Sequence, residues 1–414
     1  MADTEPPDPT PANPSAANLP ASLHPPASLN LLVAVLGLSC FASTISMRLV
    51  DPIVPLMAAG FDLGLTQIAM LVPVFTLSYA FGQPFIGPVA DSFGKVRIIA
   101  IALAVLAFFQ FLASLAPDFQ SLALLRGLAG IAAGGIIPVA MAAVADRVTM
   151  ANRQVALSRL LALMVTGQVC GSLMSGLIGD YAGWRMAFVA ASVIAGVTSL
   201  MVFMLLKPRP KAVRSALDPA SVLGRYREVL ANPLAWRLCL LVMIESLAIF
   251  AIFPFAAELL QNRGAVGSAE AGMALAVFGV GGLAYTLIAR PLVERLGPWH
   301  MAVTGGVIVA VVLITLALPL PRWTAPVLFG FYGFGFYLIH STYQTQATEL
   351  SATARSSAMA IFACSLFVGT AMGPVTLAAL RQIMTLESTL LVYAGVLLVL
   401  GLVSGPMLRL QKNG

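Results

Sequence analysis

The chain has 414 residues, of which 59% are hydrophobic and only 10% are charged. Soluble proteins carry about 25% charged residues, so this composition excludes a soluble protein and indicates an integral membrane protein. The net charge of +6 does not indicate nucleic-acid binding, because the basic residues lie scattered in loops rather than on one face. Apolar runs of about 20 residues, the length of a membrane span, recur from residue 29 to residue 410.

Residues 1–28 are rich in Pro, Ala and Ser and contain neither Lys nor Arg. This segment cannot bury a core, so we predict a disordered cytoplasmic tail, and it lacks the basic region of a signal peptide.

The four cysteines lie in apolar runs without paired spacing, which predicts small core residues rather than disulfides or metal ligands. The three histidines are not part of a metal-ligand motif, so we expect neither a metal site nor a cofactor.

The apolar runs predict an all-α protein with twelve membrane-spanning helices. The spans are 30–57, 66–88, 97–116, 120–145, 154–180, 184–206, 236–261, 269–289, 300–319, 323–348, 356–380 and 387–408. They divide into an N-terminal half, 29–206, and a C-terminal half, 236–410, which are joined by a basic linker, 207–235. Prolines in the linker oppose a continuous helix between the halves.

The basic residues predict the orientation. With both termini in the cytoplasm, 17 of the 23 Lys and Arg residues lie on the cytoplasmic side and 4 on the opposite side. This asymmetry satisfies the positive-inside rule, so we expect both termini in the cytoplasm of a bacterium.

A charged stretch, residues 87–97, separates the second and third apolar runs, and its glycines Gly87 and Gly94 suit a tight reversal of the chain. It resembles the loop between the second and third helices of the major facilitator superfamily, whose pattern is roughly Gly-x-Leu-x-Asp-Arg-x-Gly-Arg-(Arg/Lys). Gly87, Asp91, Gly94 and Lys95 lie on this pattern, with Lys95 in place of the usual Arg, whereas Val89 and Ser92 depart from it. The resemblance implies a transporter of two six-helix halves.

An internal repeat agrees with this architecture. An offset of 203 residues carries Gly127 and Gly130 onto Gly330 and Gly333. An offset of 202 carries Arg153, Gly167 and Gly171 onto Arg355, Gly369 and Gly373. The order and near-constant offset of these matches predict a duplicated six-span unit.

Ionisable side chains inside spans are costly and mark functional sites by default. Arg48 and Asp51 share a face of the first span, and Arg126 of the fourth span is predicted to lie at the depth of Asp51 and to pair with it. Arg126 precedes a glycine pattern that resembles the one associated with proton coupling in the antiporters of this family. Asp51 then gains and loses the proton, or else it forms a permanent structural pair or rests in interfacial water.

Glu245 lies within the seventh span and is either a second protonatable site or a neutral acid bonded to a neighbouring helix. Uncharged polar groups within spans are candidates for contact with a neutral or amphipathic solute, or for helix–helix hydrogen bonds. These candidates are Tyr79, Gln83, Gln168, Tyr285, His340, Tyr343 and Gln344. The stretch from His340 to Glu349 resembles the sugar- and nucleoside-efflux branch of the drug/proton antiporters. Phe and Met are interpreted as packing residues.

The resemblance also implies a gate at the charged stretch, where the acid of the motif approaches the start of the eleventh helix and a carboxylate that ends the fourth. The gate residues are Gly87, Asp91, Gly94, Lys95, Arg97 and Asp146. Lys95 can supply the positive partner as a point charge.

The sequence therefore predicts a monomeric secondary transporter, with proton-coupled export of a drug, sugar or nucleoside-like compound as the first interpretation. Proton-coupled uptake is the alternative. No phosphate-binding loop motif is present, and no nucleophile–base set or metal-ligand spacing suggests an enzyme. A non-transporting receptor would have only the N-terminal tail as its distinctive region.

Overall fold

The computed structural model describes residues 27–148, 150–206, 219–351 and 355–409, and its regular elements are all helical. Nearly all of the predicted tail lies outside these residues, and the first helix begins at Ala27. We call residues 27–206 the N-terminal half and residues 219–409 the C-terminal half.

The N-terminal half contains nine α-helices and one 3-10 turn in its described part. The helices are α1 (Ala27–Arg48), α2 (Val54–Phe61), α3 (Leu65–Ala69), α4 (Leu71–Phe93), α5 (Lys95–Ser114), α6 (Phe119–Gly134), α7 (Ile136–Ala145), α8 (Met150–Ala182) and α9 (Trp184–Leu205), and the 3-10 turn is Asp51–Ile53. Several predicted spans are therefore interrupted, the first of them between α1 and α2.

The C-terminal half has seven α-helices in the described residues. They are α10 (Pro219–Ala231), α11 (Pro233–Phe250), α12 (Ala256–Gln261), α13 (Ala269–Ala317), α14 (Ala325–Glu349), α15 (Arg355–Leu380) and α16 (Leu386–Arg409), with 3-10 turns at Phe253–Phe255 and Arg322–Thr324. Helix α10 occupies the second part of the predicted linker, which is thus partly helical.

Ten helical stretches of the described chain are long and apolar enough to cross a membrane. One of them, α13, has 49 residues, and at 1.5 Å per residue it would span roughly twice the hydrocarbon core. Gly297 has a non-helical φ of 68° inside it and Pro298 follows, so α13 consists of two successive crossings. Helix α14 has 25 residues and is less apolar. These ten stretches, with the second crossing of α13 and with α14, agree with the twelve crossings that the sequence predicts.

The duplication is visible in how the helices pack. A Cβ on Gly130 would lie 2.4 Å from the carbonyl oxygen of Phe75, and one on Gly333 would lie 1.9 Å from that of Phe278. Both members of the second pair are 203 residues after those of the first. Glycine thus permits the same close helix crossing in each half.

Each half has its own apolar core. The largest cluster of buried apolar residues lies between residues 229 and 400 and includes only Ala69 from the N-terminal half. Two further clusters of buried residues belong wholly to the N-terminal half. Between the halves, α8 packs on α13 and α4 packs on α15. Binding sites of such paired folds lie between the two units.

The turns lie at two ends of the bundle. The end with the turns at Gly94, Asp146 and Gly297 is called the basic face, and the end with the turns at Gly183 and residues 262–268 is called the far face. The predicted reversal at residues 87–97 is shorter than expected, because α4 continues to Phe93 and α5 begins at Lys95. Gly94, with φ of 99°, makes the turn, whereas Gly87 lies inside α4.

Candidate functional site

A break in the first span places two charges inside the bundle. Helix α1 ends at Arg48, and the 3-10 turn that begins at Asp51 contains Pro52, which has no backbone N–H to continue the helix. Arg48 Nη1 lies 3.6 Å from Asp51 Oδ2, and both residues are buried. The two Asp51 oxygens have no hydrogen-bond partner among the described residues. Asp51 is therefore held by charge rather than by hydrogen bonds.

Arg126 does not form the predicted ion pair with Asp51. Its Nη1 donates to the carbonyl oxygen of Ser46 at 3.1 Å, and its guanidinium lies 4.1 Å from the ring centroid of Phe75. The last carbonyls of a helix lack intrahelical donors, and the end of α1 at Arg48 leaves the Ser46 carbonyl available. Arg126 is therefore bonded to the end of α1 and not to the Asp51 carboxylate.

A small cavity lies between the halves beside Arg48. Its polar lining consists of Arg48, Gln168 and Ser172 from the N-terminal half and Tyr337 from the C-terminal half. Arg48 Nε donates to Gln168 Oε1 at 3.4 Å. The cavity has a volume of about 10 Å³, which is room for about one water molecule. A solute can enter only after the halves separate.

Aromatic rings of the C-terminal half enclose the Arg48 guanidinium. The guanidinium carbon lies 4.5 Å from the ring centroid of Phe250 and 4.6 Å from that of Phe253. Both distances are within the range of a cation–π contact. Phe278 and Tyr337 complete this side of the cavity. The interpretation of phenylalanine as packing alone is therefore wrong for Phe250 and Phe253, which orient a buried cation.

A second buried pair joins two helices of the C-terminal half. Glu245 of α11 is fully buried, and its Oε2 lies 3.2 Å from Nδ1 of His340 on α14. The His340 ring stacks on Phe336 with a centroid distance of 5.0 Å. Glu245 Oε1 has no hydrogen-bond partner among the described residues. Sequence reasoning named both residues but not their contact, because α11 and α14 are distant in the chain.

The other residues predicted to contact a solute make helix–helix contacts or differ in their exposure. Tyr285 makes a hydrogen bond of 2.5 Å to the hydroxyl of Ser341, so it bridges α13 and α14. Tyr79 packs on Phe367 of the opposite half, with ring centroids 4.8 Å apart. Tyr343 is buried, Gln83 is half-buried and Gln344 is exposed. Of the seven predicted residues, only Gln168 lines the cavity at Arg48.

At the basic face, Lys95 Nζ lies 2.6 Å from Asp146 Oδ2, so two of the predicted gate residues form an ion pair between α5 and the end of α7. Arg97 is exposed. The side chain of Asp91 lies outside the described part of the structure, and its contact with the start of α15 stays a prediction.

At the far face, Asp180 connects the two halves. Its carboxylate oxygens accept hydrogen bonds of 2.7 Å from the backbone N–H groups of Ser268 and Ala269, at the start of α13. An anion at a helix N-terminus is stabilised by the helix dipole and the free N–H groups. Sequence reasoning missed Asp180, and its position just before the Gly183 turn, at the end of a span, is the signal that could have found it.

The backbones of α8 and α13 approach closely near this contact. A Cβ on Gly272 would lie 2.6 Å from the Ser172 carbonyl oxygen, and one on Gly176 would lie 2.7 Å from that of Ser268. Glycines at such positions let helices pack without an intervening side chain. The far face is therefore closed between α8 and α13.

A helical membrane bundle of two repeated units with a cavity between them is the architecture of many secondary transporters. The family model of the Major Facilitator Superfamily matches residues 36–374. The chain belongs to this superfamily, whose members sit in a lipid bilayer and bind small-molecule substrates.

Relatives and solved structures agree with this assignment. The chain is 30% identical over 314 residues to the multidrug resistance protein MdtG of Citrobacter koseri, covering 72% of this chain and 75% of that protein. It is 24% identical to an uncharacterized transporter of Buchnera aphidicola subsp. Schizaphis graminum, over 49% of each chain, about half of that relative's length. The crystal structure of a variant of the nucleoside transporter NupG superposes with a TM-score of 0.76, at 14% identity, over 91% of this chain and all of that one.

Proposed function

We propose that the chain is a proton-coupled secondary transporter that exports a small organic compound by alternating access. The observation that carries the proposal is the buried Arg48–Asp51 pair beside a cavity that both halves line. A solute bound there would contact both halves, so their relative movement would expose it to one face and then to the other.

Asp51 is the proposed proton carrier. It is fully buried, its oxygens have no hydrogen-bond partner among the described residues, and Arg48 Nη1 lies 3.6 Å from its Oδ2. A carboxylate in this setting changes its proton affinity when water enters or when an arginine moves away. Glu245 with His340 is the second candidate for a proton site, in the opposite half.

Export is supported by the name of the relative MdtG, a multidrug resistance protein. Uptake is the second candidate, and one observation favours it. Of the two charged side chains in the pair, Arg48 lines the cavity and Asp51 does not. Protonation of Asp51 would remove the counter-ion of Arg48 and would favour a solute that binds together with the proton. Such linkage moves proton and solute in the same direction.

We further propose that the protein works as a monomer in the bacterial inner membrane, with the basic face and both termini in the cytoplasm. The Lys95–Asp146 ion pair belongs to the gate of the basic face, together with Asp91. The distribution of Lys and Arg supports this orientation.

The test uses inverted membrane vesicles that contain the protein, with an acidified lumen and a pH-sensitive dye. Phenicols, nucleosides, pentoses and lipophilic cations are added outside, for the wild type, Asp51→Asn and the control Asp62→Asn. Asp62 is an exposed carboxylate at φ 53°, a backbone conformation that Asn tolerates. We expect proton efflux on adding one compound, lost with Asp51→Asn and retained with Asp62→Asn.

Efflux that survives Asp51→Asn would remove Asp51 from the coupling mechanism. Silence with external compound, combined with proton movement when the compound is loaded into the lumen, would replace export by uptake. Absence of transport in both arrangements, for these compounds and for organic anions, would contradict the proposed function.

A further inference from the structure

The charge that faces the cavity between the halves is positive. Arg48 is the one charged residue among those that line it, and its counter-ion Asp51 is fully buried and does not line it. The remaining polar lining residues, Gln168, Ser172 and Tyr337, are uncharged. A solute in the cavity would therefore contact the Arg48 guanidinium directly, whereas the Asp51 carboxylate would not face the solute.

The polar groups around Arg48 can donate hydrogen bonds to the same solute. Gln168 Oε1 is occupied by Arg48 Nε, so the amide nitrogen is the group of Gln168 that remains for a solute. Ser172 and Tyr337 add two hydroxyl groups from opposite halves. A guanidinium with neutral donors beside it binds a carboxylate in charge-assisted and bidentate geometry.

The remaining walls favour an organic solute over an inorganic ion. Phe253, Leu275 and Phe278 line the cavity from the C-terminal half, and Val165 and Val169 line it from α8. The rings of Phe250 and Phe253 pack on the guanidinium of Arg48. The N–H groups at its edge therefore remain to bind an anion. Apolar and aromatic walls bury the hydrophobic body of a ligand, while a few polar groups orient it.

We propose that the transported solute is a small aromatic carboxylate, whose anionic group is bound by Arg48. The inference rests on the transport function proposed above, in its uptake form, and narrows its substrate class. It departs from the neutral or amphipathic solute that the sequence predicts, because that prediction considered the uncharged groups alone. Asp51 then has a second consequence: its negative charge opposes the binding of the anion.

The test is equilibrium binding of radiolabelled 1-naphthoate to the purified full-length protein in detergent. Competition by unlabelled 1-naphthamide, 1-naphthylmethylamine and nitrate compares the carboxylate with an uncharged amide, a cation and an inorganic anion. We expect the carboxylate to bind at least tenfold more tightly than the amide and the amine, and nitrate not to compete at equal concentration.

Three variants decide the role of Arg48. Arg48→Gln with Asp51→Asn removes both charges of the pair, so neither is left without the other, and it should abolish the preference for the carboxylate over the amide. Asp51→Asn alone should tighten naphthoate binding at least threefold, because it removes a negative charge close to the bound anion. Arg185→Gln is the matched control, since Arg185 packs on Trp184 at the far face and should leave binding unchanged.

An amide or amine that binds as tightly as the carboxylate would overturn the inference, as would a preference that survives loss of Arg48. The absence of naphthoate binding at millimolar concentration would overturn it as well. The vesicle assay remains independent: transport of a phenicol, nucleoside, pentose or lipophilic cation would retain the transporter and discard the anion. Tighter naphthoate binding by Asp51→Asn would support the anion and favour uptake over export.

Discussion

Four buried ionisable side chains differ in how well they are satisfied. Arg48 has Asp51, Gln168 and two phenylalanine rings around it. Among the described residues, Asp51 has no hydrogen-bond partner at either oxygen, Glu245 has none at Oε1, and Arg126 has none at Nε and Nη2. Buried polar groups without partners cost free energy that water could relieve. Asp51, Glu245 and Arg126 are thus the places where hydration of the bundle should begin when the halves separate.

The Glu245–His340 pair can be tested by a double-mutant cycle. His340→Leu should lower the unfolding free energy by roughly 1–3 kcal/mol, because Glu245 Oε2 loses its hydrogen-bond partner inside the protein. Adding Glu245→Gln should recover part of this loss, since a neutral amide is cheaper to bury than an unpaired acid. Thermal unfolding of the purified variants measures both effects. Strictly additive losses would show that the two side chains do not interact.

The sequence identifies the buried charges but not all of their partners. Arg48, Asp51 and Glu245 are recognisable because charges are rare in apolar runs. The partner of Arg126 is a backbone carbonyl made available by the end of α1, and an apolar run does not reveal where a helix ends. Phe250 and Phe253 are two of 22 phenylalanines, so their sequence context does not distinguish them.

Helices cross at glycines that the repeat places in both halves. Gly333→Ala should lower the unfolding free energy by about 1–3 kcal/mol, because the new Cβ meets the Phe278 carbonyl oxygen and the backbones must move apart. Gly395→Ala is the matched control, since nothing lies within 4 Å of its Cβ position. Alanine is the better helix former, so this variant should be neutral or slightly more stable. Equal melting temperatures for the two variants would contradict the close crossing.

Element boundaries are predicted less well than the elements. The apolar runs agree with the positions of the helices because a span needs a minimum length of apolar chain. They do not reveal that α4 continues to Phe93, since Gly87, Pro88 and Asp91 are residues typical of turns. The helix α10 was missed because the prolines of the linker suggested an irregular chain, although Pro219 begins the helix, where proline is tolerated.

The whole molecule is closed at the far face and nearly closed around Arg48. Asp180 on the start of α13 and the glycine contacts of α8 hold the far face together. Arg48 spans the interface through Phe250 and Phe253, so the same side chain contacts both halves. A solute that attracts Arg48 away from these rings would weaken the interface at the position where it binds. The Arg48 side chain would thereby take part both in solute binding and in the movement of the halves.

The Asp180 contact predicts how the far face opens. Asp180→Asn removes the negative charge from the start of α13, where a charge is worth about 0.3–1 kcal/mol. The population open at the far face should therefore rise by up to about fivefold, since each 1.4 kcal/mol corresponds to a factor of ten. Spin labels at Leu115 and Trp323, which are exposed at the far face of opposite halves, would report the opening by pulsed distance measurements in a cysteine-free background.

Asp118→Asn provides the control for this experiment. The Asp118 carboxylate accepts a hydrogen bond of 2.8 Å from the backbone N–H of Ser121, so it caps α6 within the N-terminal half and does not reach across the interface. This variant should lose some stability and leave the label distances unchanged. If both variants broaden the distances alike, loss of a negative charge at any helix start is the cause, and Asp180 has no special part in closing the far face. If only Asp180→Asn does so, one carboxylate on a helix start of the other half contributes to keeping the transporter closed on that side.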